Sequence, residues 1–80
     1  MQRLVECFVR TMALDPAQVT SKLAYQSIPQ WDSVAHMALT AEIENEFNVT
    51  LDTDDIIAMS DVGKAVDILR KHDVQIDAAG

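Results

Sequence analysis

Asp32-Ser33-Val34-Ala35-His36-Met37-Ala38-Leu39-Thr40-Ala41-Glu42-Ile43-Glu44-Asn45-Glu46-Phe47 is the stretch on which the fold turns. Asp32 suits an N-cap: its carboxylate can accept the unpaired amide hydrogen of Val34 or Ala35, and its charge complements the positive end of the helix dipole. At 100° per residue, a helix from Ser33 to about Phe47 puts Leu39, Ile43 and Phe47 on one face, with His36 and Thr40 beside them. Val34, Met37 and Ala41 form a second stripe, flanked by Glu44 and Asn45. That stripe is either more core or a face for a partner.

On the N-terminal side, Leu4, Val5, Phe8, Val9 and Met12 recur at helical spacing, predicting an amphipathic helix from Gln2 to Ala13. Asp15-Pro16 stops it, because proline disfavours helical geometry in the residue before it and donates no backbone hydrogen bond. Residues 15–30 lack a period. They read as a long first loop, ordered by the spaced anchors Val19, Leu23, Tyr25 and Ile28 and with room for helical turns.

On the C-terminal side, Asn48 breaks the pattern, and Val49 and Leu51 anchor a loop that ends in Asp52-Thr53-Asp54-Asp55. These acids precede Ile56-Ile57-Ala58-Met59, which suits a short third helix with negative charge at its start. They do not form a calcium loop, since the glycine turn and distal glutamate of that motif are missing. Ser60 is the expected cap of a last helix with Val62, Ala65, Val66 and Leu69 inside and Ile68 at the border. Arg70, Lys71 and His72 close it near His72. Residues 73–80 read as a frayed tail. The whole is expected to be an all-α, small four-helix bundle in a single domain over residues 1–80, with three main helices, one short helix and a long first loop.

Eighty residues with 49% hydrophobic side chains suffice for one small core and leave no room for a deep enclosed active site. The single cysteine, Cys7, lies in the apolar pattern of the first helix, which predicts a buried thiol, excludes an internal disulfide framework and fits a reducing, cytoplasmic setting. No signal peptide or membrane span is expected. A net charge of −7 argues against nucleic acid or an anionic membrane as partner. Between Lys22 and Lys64 there is no lysine or arginine, only Asp32, Glu42, Glu44, Glu46, Asp52, Asp54, Asp55 and Asp61 among charged residues. Such a segment either attracts basic surfaces or is a solvated acidic face.

Catalytic and metal chemistry find little support. Ser33 and His36 can approach each other one turn apart, but no nucleophile turn or oxyanion donor set accompanies them. Cys7, His36, His72 and the carboxylates show no metal-ligand spacing, and no metal site is expected.

The order Asp32-Ser33-Val34, Leu39, Ile43, Glu44-Asn45-Glu46-Phe47, Asp55 and Asp61-Val62-Gly63-Lys64-Ala65-Val66 resembles the acyl carrier protein family over almost the whole domain. The resemblance implies a non-catalytic carrier in which Ser33 receives 4′-phosphopantetheine from coenzyme A, with Asp32 as the neighbouring motif residue. The thiol of that group would carry an acyl or aminoacyl cargo as a thioester in fatty acid, polyketide or related specialised biosynthesis. It further implies that Val34, Met37, Ala41 and Glu44 face partner enzymes with basic docking patches: a phosphopantetheinyl transferase, loading enzymes and downstream enzymes. Ile43, Met59 and Val62 match positions lining a cargo cleft in some carriers, although Ile43 and Val62 also suit an ordinary core. The Pro29-Gln30-Trp31-Asp32-Ser33 form resembles free-standing carriers of specialised pathways, since many fatty-acid carriers have glycine where Gln30 stands. A monomer is expected.

The competing reading is an acidic adaptor domain of the same fold that is never modified. Trp31 is expected to pack on His36 as a staple that fixes the presentation of Ser33, so that Trp31→Gly loosens the loop more than it unfolds the bundle.

Overall fold

After the first helix, every helical segment starts on an aspartate. The computed structural model describes residues 2–74, with helices α1 (Gln2–Met12), α2 (Ser33–Phe47), α3 (Thr53–Ala58) and α4 (Val62–Lys71). Asp32 Oδ1 accepts the Ala35 N–H at 2.8 Å, Asp52 Oδ1 that of Asp55 at 2.8 Å, and Asp61 Oδ1 that of Lys64 at 2.7 Å. Asp15 does the same for a single 3₁₀ turn, Pro16–Gln18, and Gln18 Oε1 accepts the Asp15 N–H in return. Each such cap satisfies an amide that has no intrahelical partner and contributes about 1 kcal/mol. The result is the expected all-α bundle with its long first loop.

Two boundaries differ from the expectations. α1 ends at Met12 rather than Ala13, which turns left-handed with φ 55°. α4 is capped by Asp61, not Ser60. The Ser60 N–H bonds to Ala58 O at the exit of α3, and its carbonyl accepts the Tyr25 N–H at 2.8 Å, so Asp61 supplies the extended cap geometry instead. Asn48 closes α2 in the left-handed region, φ 54°, which asparagine tolerates better than most residues. At the end of α4 His72 and Asp73 form a closing turn, and the Val74 N–H bonds to Leu69 O. The rest of the expected tail, residues 75–80, lies outside the described residues.

The core gathers Leu4, Cys7, Phe8 and Met12 of α1, Leu39 and Ile43 of α2, Met59, and Val62, Ala65, Ile68 and Leu69 of α4. Leu14, Val19, Leu23 and Trp31 of the first loop and Leu51 of the loop before α3 complete it, so the first loop is part of the packing. It is fastened across the molecule by an antiparallel bridge between Ala24 and Asp61, with the Val62 N–H bonded to Leu23 O at 3.0 Å. Ile68 is buried and Val66 only half-buried, the reverse of their expected order around α4. Phe47, expected on the core face, is half-buried at the end of α2, and the Arg3 guanidinium stands 4.7 Å above its ring.

α1 and α2 are also joined by charge. Arg10 contacts both Glu42 and Glu46 at 3.0 Å, and Arg3 Nε contacts Glu46 at 3.0 Å. Hydrogen bonds from Arg10 and then Arg3 hold the Glu46 carboxyl below its usual range. These pairs are solvent-exposed and individually weak; together they fix the register of two helices whose apolar faces already match.

Cys7 is buried, as expected. Burial is the main cause that pushes its thiol up to about 11, against the opposing charge of Arg10. At pH 8 the native thiol should therefore react with an aromatic disulfide reagent on the order of a hundredfold more slowly than in urea. Equal rates in native and unfolded protein would show that Cys7 is accessible.

Candidate functional site

Ser33 is the first residue of α2 and is exposed. Its position follows from the cap: Asp32 is extended, its carboxylate holds the Ala35 N–H, and its carbonyl accepts the His36 N–H at 2.8 Å. Of the three amides ahead of that first helical bond, Asp32 takes that of Ala35, which leaves those of Ser33 and Val34 at the positive end of the helix dipole. A phosphoryl group attached here would meet a favourable field.

Beside Ser33 lies an apolar cavity of about 360 Å³, lined by Tyr25, Ser33, His36, Met37, Ile56, Ile57, Met59 and Ser60. Helical spacing explains the α2 contribution. His36 and Met37 lie three and four residues after Ser33 and so share its face. The opposite wall is α3 and its exit. The backbone of this wall is held by His36, whose Nε2–H donates to Ile56 O at 2.8 Å.

That bond also defines the imidazole. Trp31 Nε1–H donates to His36 Nδ1 at 3.0 Å, so His36 accepts at one nitrogen and donates at the other. Neither nitrogen has a lone pair left for Ser33. The Ser33 Oγ instead lies 3.0 Å from the hydroxyl of Tyr25. Trp31 does pack on His36, with rings stacked at 6.0 Å, as expected for the staple. It is also wholly buried and meets Phe8 edge-on at 5.2 Å, so it is a core residue and not a loop fastening alone.

Of the three residues expected to line a cargo cleft, Met59 alone lines this cavity. All three are fully buried core residues, and Ile43 and Val62 do not reach this cavity. The reason for Ile43 is distance: ten residues beyond Ser33 on the same helix corresponds to about 15 Å along the axis.

The expected partner face divides as well. Val34, Met37 and Ala41 are exposed, Val34 at 79% and Met37 at 58%, and Ile57 of α3 is exposed at 72%. Glu44 departs from this strip. It is half-buried, and its Oε2 accepts the Leu51 N–H at 2.9 Å, which secures the loop after α2.

Sequence reasoning did not find Tyr25, Ile56, Ile57 or Ser60 as parts of the site. Tyr25 stood out only as a loop anchor, and nothing in a loop's sequence announces which helix end it will touch. Among the described residues, no group of three or more His, Cys, Asp or Glu is placed to hold a metal ion. No helix of the described residues is long and apolar enough to cross a membrane. Comparison of the sequence with protein-family models and with curated proteins finds no match.

Proposed function

We propose that this protein is a discrete carrier, modified on Ser33 with 4′-phosphopantetheine from coenzyme A, that shuttles an acyl or aminoacyl cargo between biosynthetic enzymes. The observation that carries the reading is the placement of Ser33: an exposed hydroxyl at the N-terminus of a long helix, beside an apolar cavity. A phosphodiester there is stabilised by the first-turn amides, and Asp32 keeps its capping role beside it. When attached, the group supplies a terminal thiol that holds cargo as a thioester. The occupied nitrogens of His36 disfavour a Ser33-based hydrolase, because among the described residues they leave the hydroxyl without an imidazole base.

The partners in this reading are a phosphopantetheinyl transferase and loading and downstream enzymes. Val34, Met37, Ala41 and Ile57 offer them an apolar strip next to Ser33. The acidic stretch between Lys22 and Lys64, which contains no lysine or arginine, favours basic rims on the partner side. The protein is proposed to act as a cytoplasmic monomer.

Coexpression with a broad-specificity phosphopantetheinyl transferase should add one prosthetic-group mass to the intact protein, and Ser33→Ala should abolish the gain. Labelling that survives Ser33→Ala would sink the assignment. A wild-type chain left unmodified while a control carrier is modified would favour the unmodified adaptor, for which the exposed strip alone suffices.

A further inference from the structure

The Ser33 hydroxyl is engaged by a residue from a different part of the chain. Tyr25 Oη lies 3.0 Å from Ser33 Oγ, eight residues away across the first loop. Tyr25 is itself held in place. Its N–H bonds to Ser60 O at 2.8 Å, the neighbouring Ala24 pairs with Asp61, and the Gln26 N–H bonds to Trp31 O at 3.0 Å. Its ring lies 5.2 Å from that of His36 and 6.4 Å from that of Trp31. His36 is fixed in turn by Trp31 and by Ile56 O. A chain of packed and hydrogen-bonded groups therefore runs from the core, through Trp31 and His36, to the phenol and its serine partner.

Resting on the carrier reading above, the geometry points to Tyr25 as the positioning residue for modification of Ser33. A serine hydroxyl on an exposed first turn is otherwise free to rotate among its staggered rotamers. The phenol selects the one that directs Oγ along the edge of the cavity, and its ring is too constrained to follow the serine elsewhere. In the transfer, Ser33 Oγ forms a bond to the pantetheine-side phosphorus of coenzyme A, and the phosphoanhydride bond to the nucleotide side breaks. The adenosine bisphosphate leaves with the electron pair, and the serine proton passes to a base on the transferase. Tyr25 takes no proton in this scheme. Its contribution is to limit the orientations from which Oγ attacks, which affects the rate of the chemical step more than docking of the two proteins.

The test uses Tyr25→Phe, which keeps the ring against His36 and Trp31 and removes only the hydroxyl. Steady-state modification of the whole chain by a phosphopantetheinyl transferase should show kcat lowered about fivefold, the factor expected from one net hydrogen bond, with KM for the carrier unchanged. The thermal midpoint of the unmodified variant should stay within about 2 °C of wild type, and Tyr25→Leu should lower both kcat and the midpoint. A Tyr25→Phe kcat within twofold of wild type would overturn the role, as would a loss of kcat accompanied by a fall in thermal midpoint of more than that margin. These outcomes differ from failure of the carrier reading itself, in which the wild-type chain gains no mass while a control carrier does.

Discussion

Trp31→Gly is expected to lower stability by about 3–5 kcal/mol and to leave the chain largely unfolded at modest urea concentrations. The indole is wholly buried, its ring meets that of Phe8 of α1 in a T-shaped contact, and its N–H bonds to His36 of α2, with the two ring planes 23° apart. Removing it opens a cavity where the first loop, α1 and α2 meet, and the surrounding backbone can close it only in part. Nδ1 of His36 also loses its donor. An 80-residue domain has roughly 4–12 kcal/mol in total, so this one substitution takes a large share. The burial of the indole argues against the expectation that the change loosens the loop more than it unfolds the bundle. Urea unfolding followed by far-UV circular dichroism measures it, and a loss below about 1 kcal/mol would show that the loop can repack without the indole.

Local signals were legible in the sequence wherever one residue type performs one local task. Asp32 at the head of α2 and the Leu4, Val5, Phe8 spacing of α1 each reported an element correctly, because capping and helical periodicity act over three or four residues. Ser60 and Asp61 are adjacent and both able to cap; the choice between them is made by a tertiary hydrogen bond from Tyr25, which no local pattern records. The burial of Trp31 was illegible for a related reason. A residue in an aperiodic segment reads as surface, and only the return of the loop across α1 and α2 encloses it. For Ile43 and Val62, cleft and core were both open on the resemblance; both side chains are buried in the core, and the axial rise of α2 carries Ile43 away from Ser33.

The acidic segment illustrates how a charge pattern changes meaning once folded. Asp32, Asp52 and Asp61 cap helices, Glu42 and Glu46 bind arginines of α1, Glu44 secures a loop amide, and Asp55 binds the end of α4. Asp54 stands exposed in the first turn of α3. Much of the negative charge is therefore part of the architecture, and Arg3, Arg10 and Lys71 lie against Glu42, Glu46 and Asp55. For a carrier, this shifts the burden of partner recognition toward the apolar strip of Val34, Met37 and Ile57. Their exposure beside Ser33 has no structural explanation within the bundle.

Asp55→Asn is expected to destabilise the protein by about 1–2 kcal/mol at neutral pH, with a pH signature that identifies its cause. The Asp55 side chain is 2% exposed, with Oδ1 bonded to Lys71 Nζ and Oδ2 bonded to His72 Nε2 at 2.7 Å. It joins short α3 to the end of α4, from the residue before the carbonyl that His36 holds on the other side. Hydrogen bonds from Lys71 and then His72 push the Asp55 carboxyl down to about 2, against the opposing effect of burial. The Lys71 side chain is 62% exposed and can return its ammonium to water in the variant, which keeps the loss well below that for a fully buried pair. Because the folded carboxyl ionises below its ordinary value of 3.8, the contribution is fully present above that value. It declines as the unfolded chain takes up a proton first, and is lost as pH falls through about 2. Wild type and Asp55→Asn should therefore differ clearly at pH 7 and converge between pH 4 and pH 2. Urea midpoints at pH 7, 3 and 2, on both sides of the isoelectric point near 4.4, measure the gap. A gap that stays constant to pH 2 would show that Asp55 stabilises α3 by shape and neutral hydrogen bonding, not by its charge.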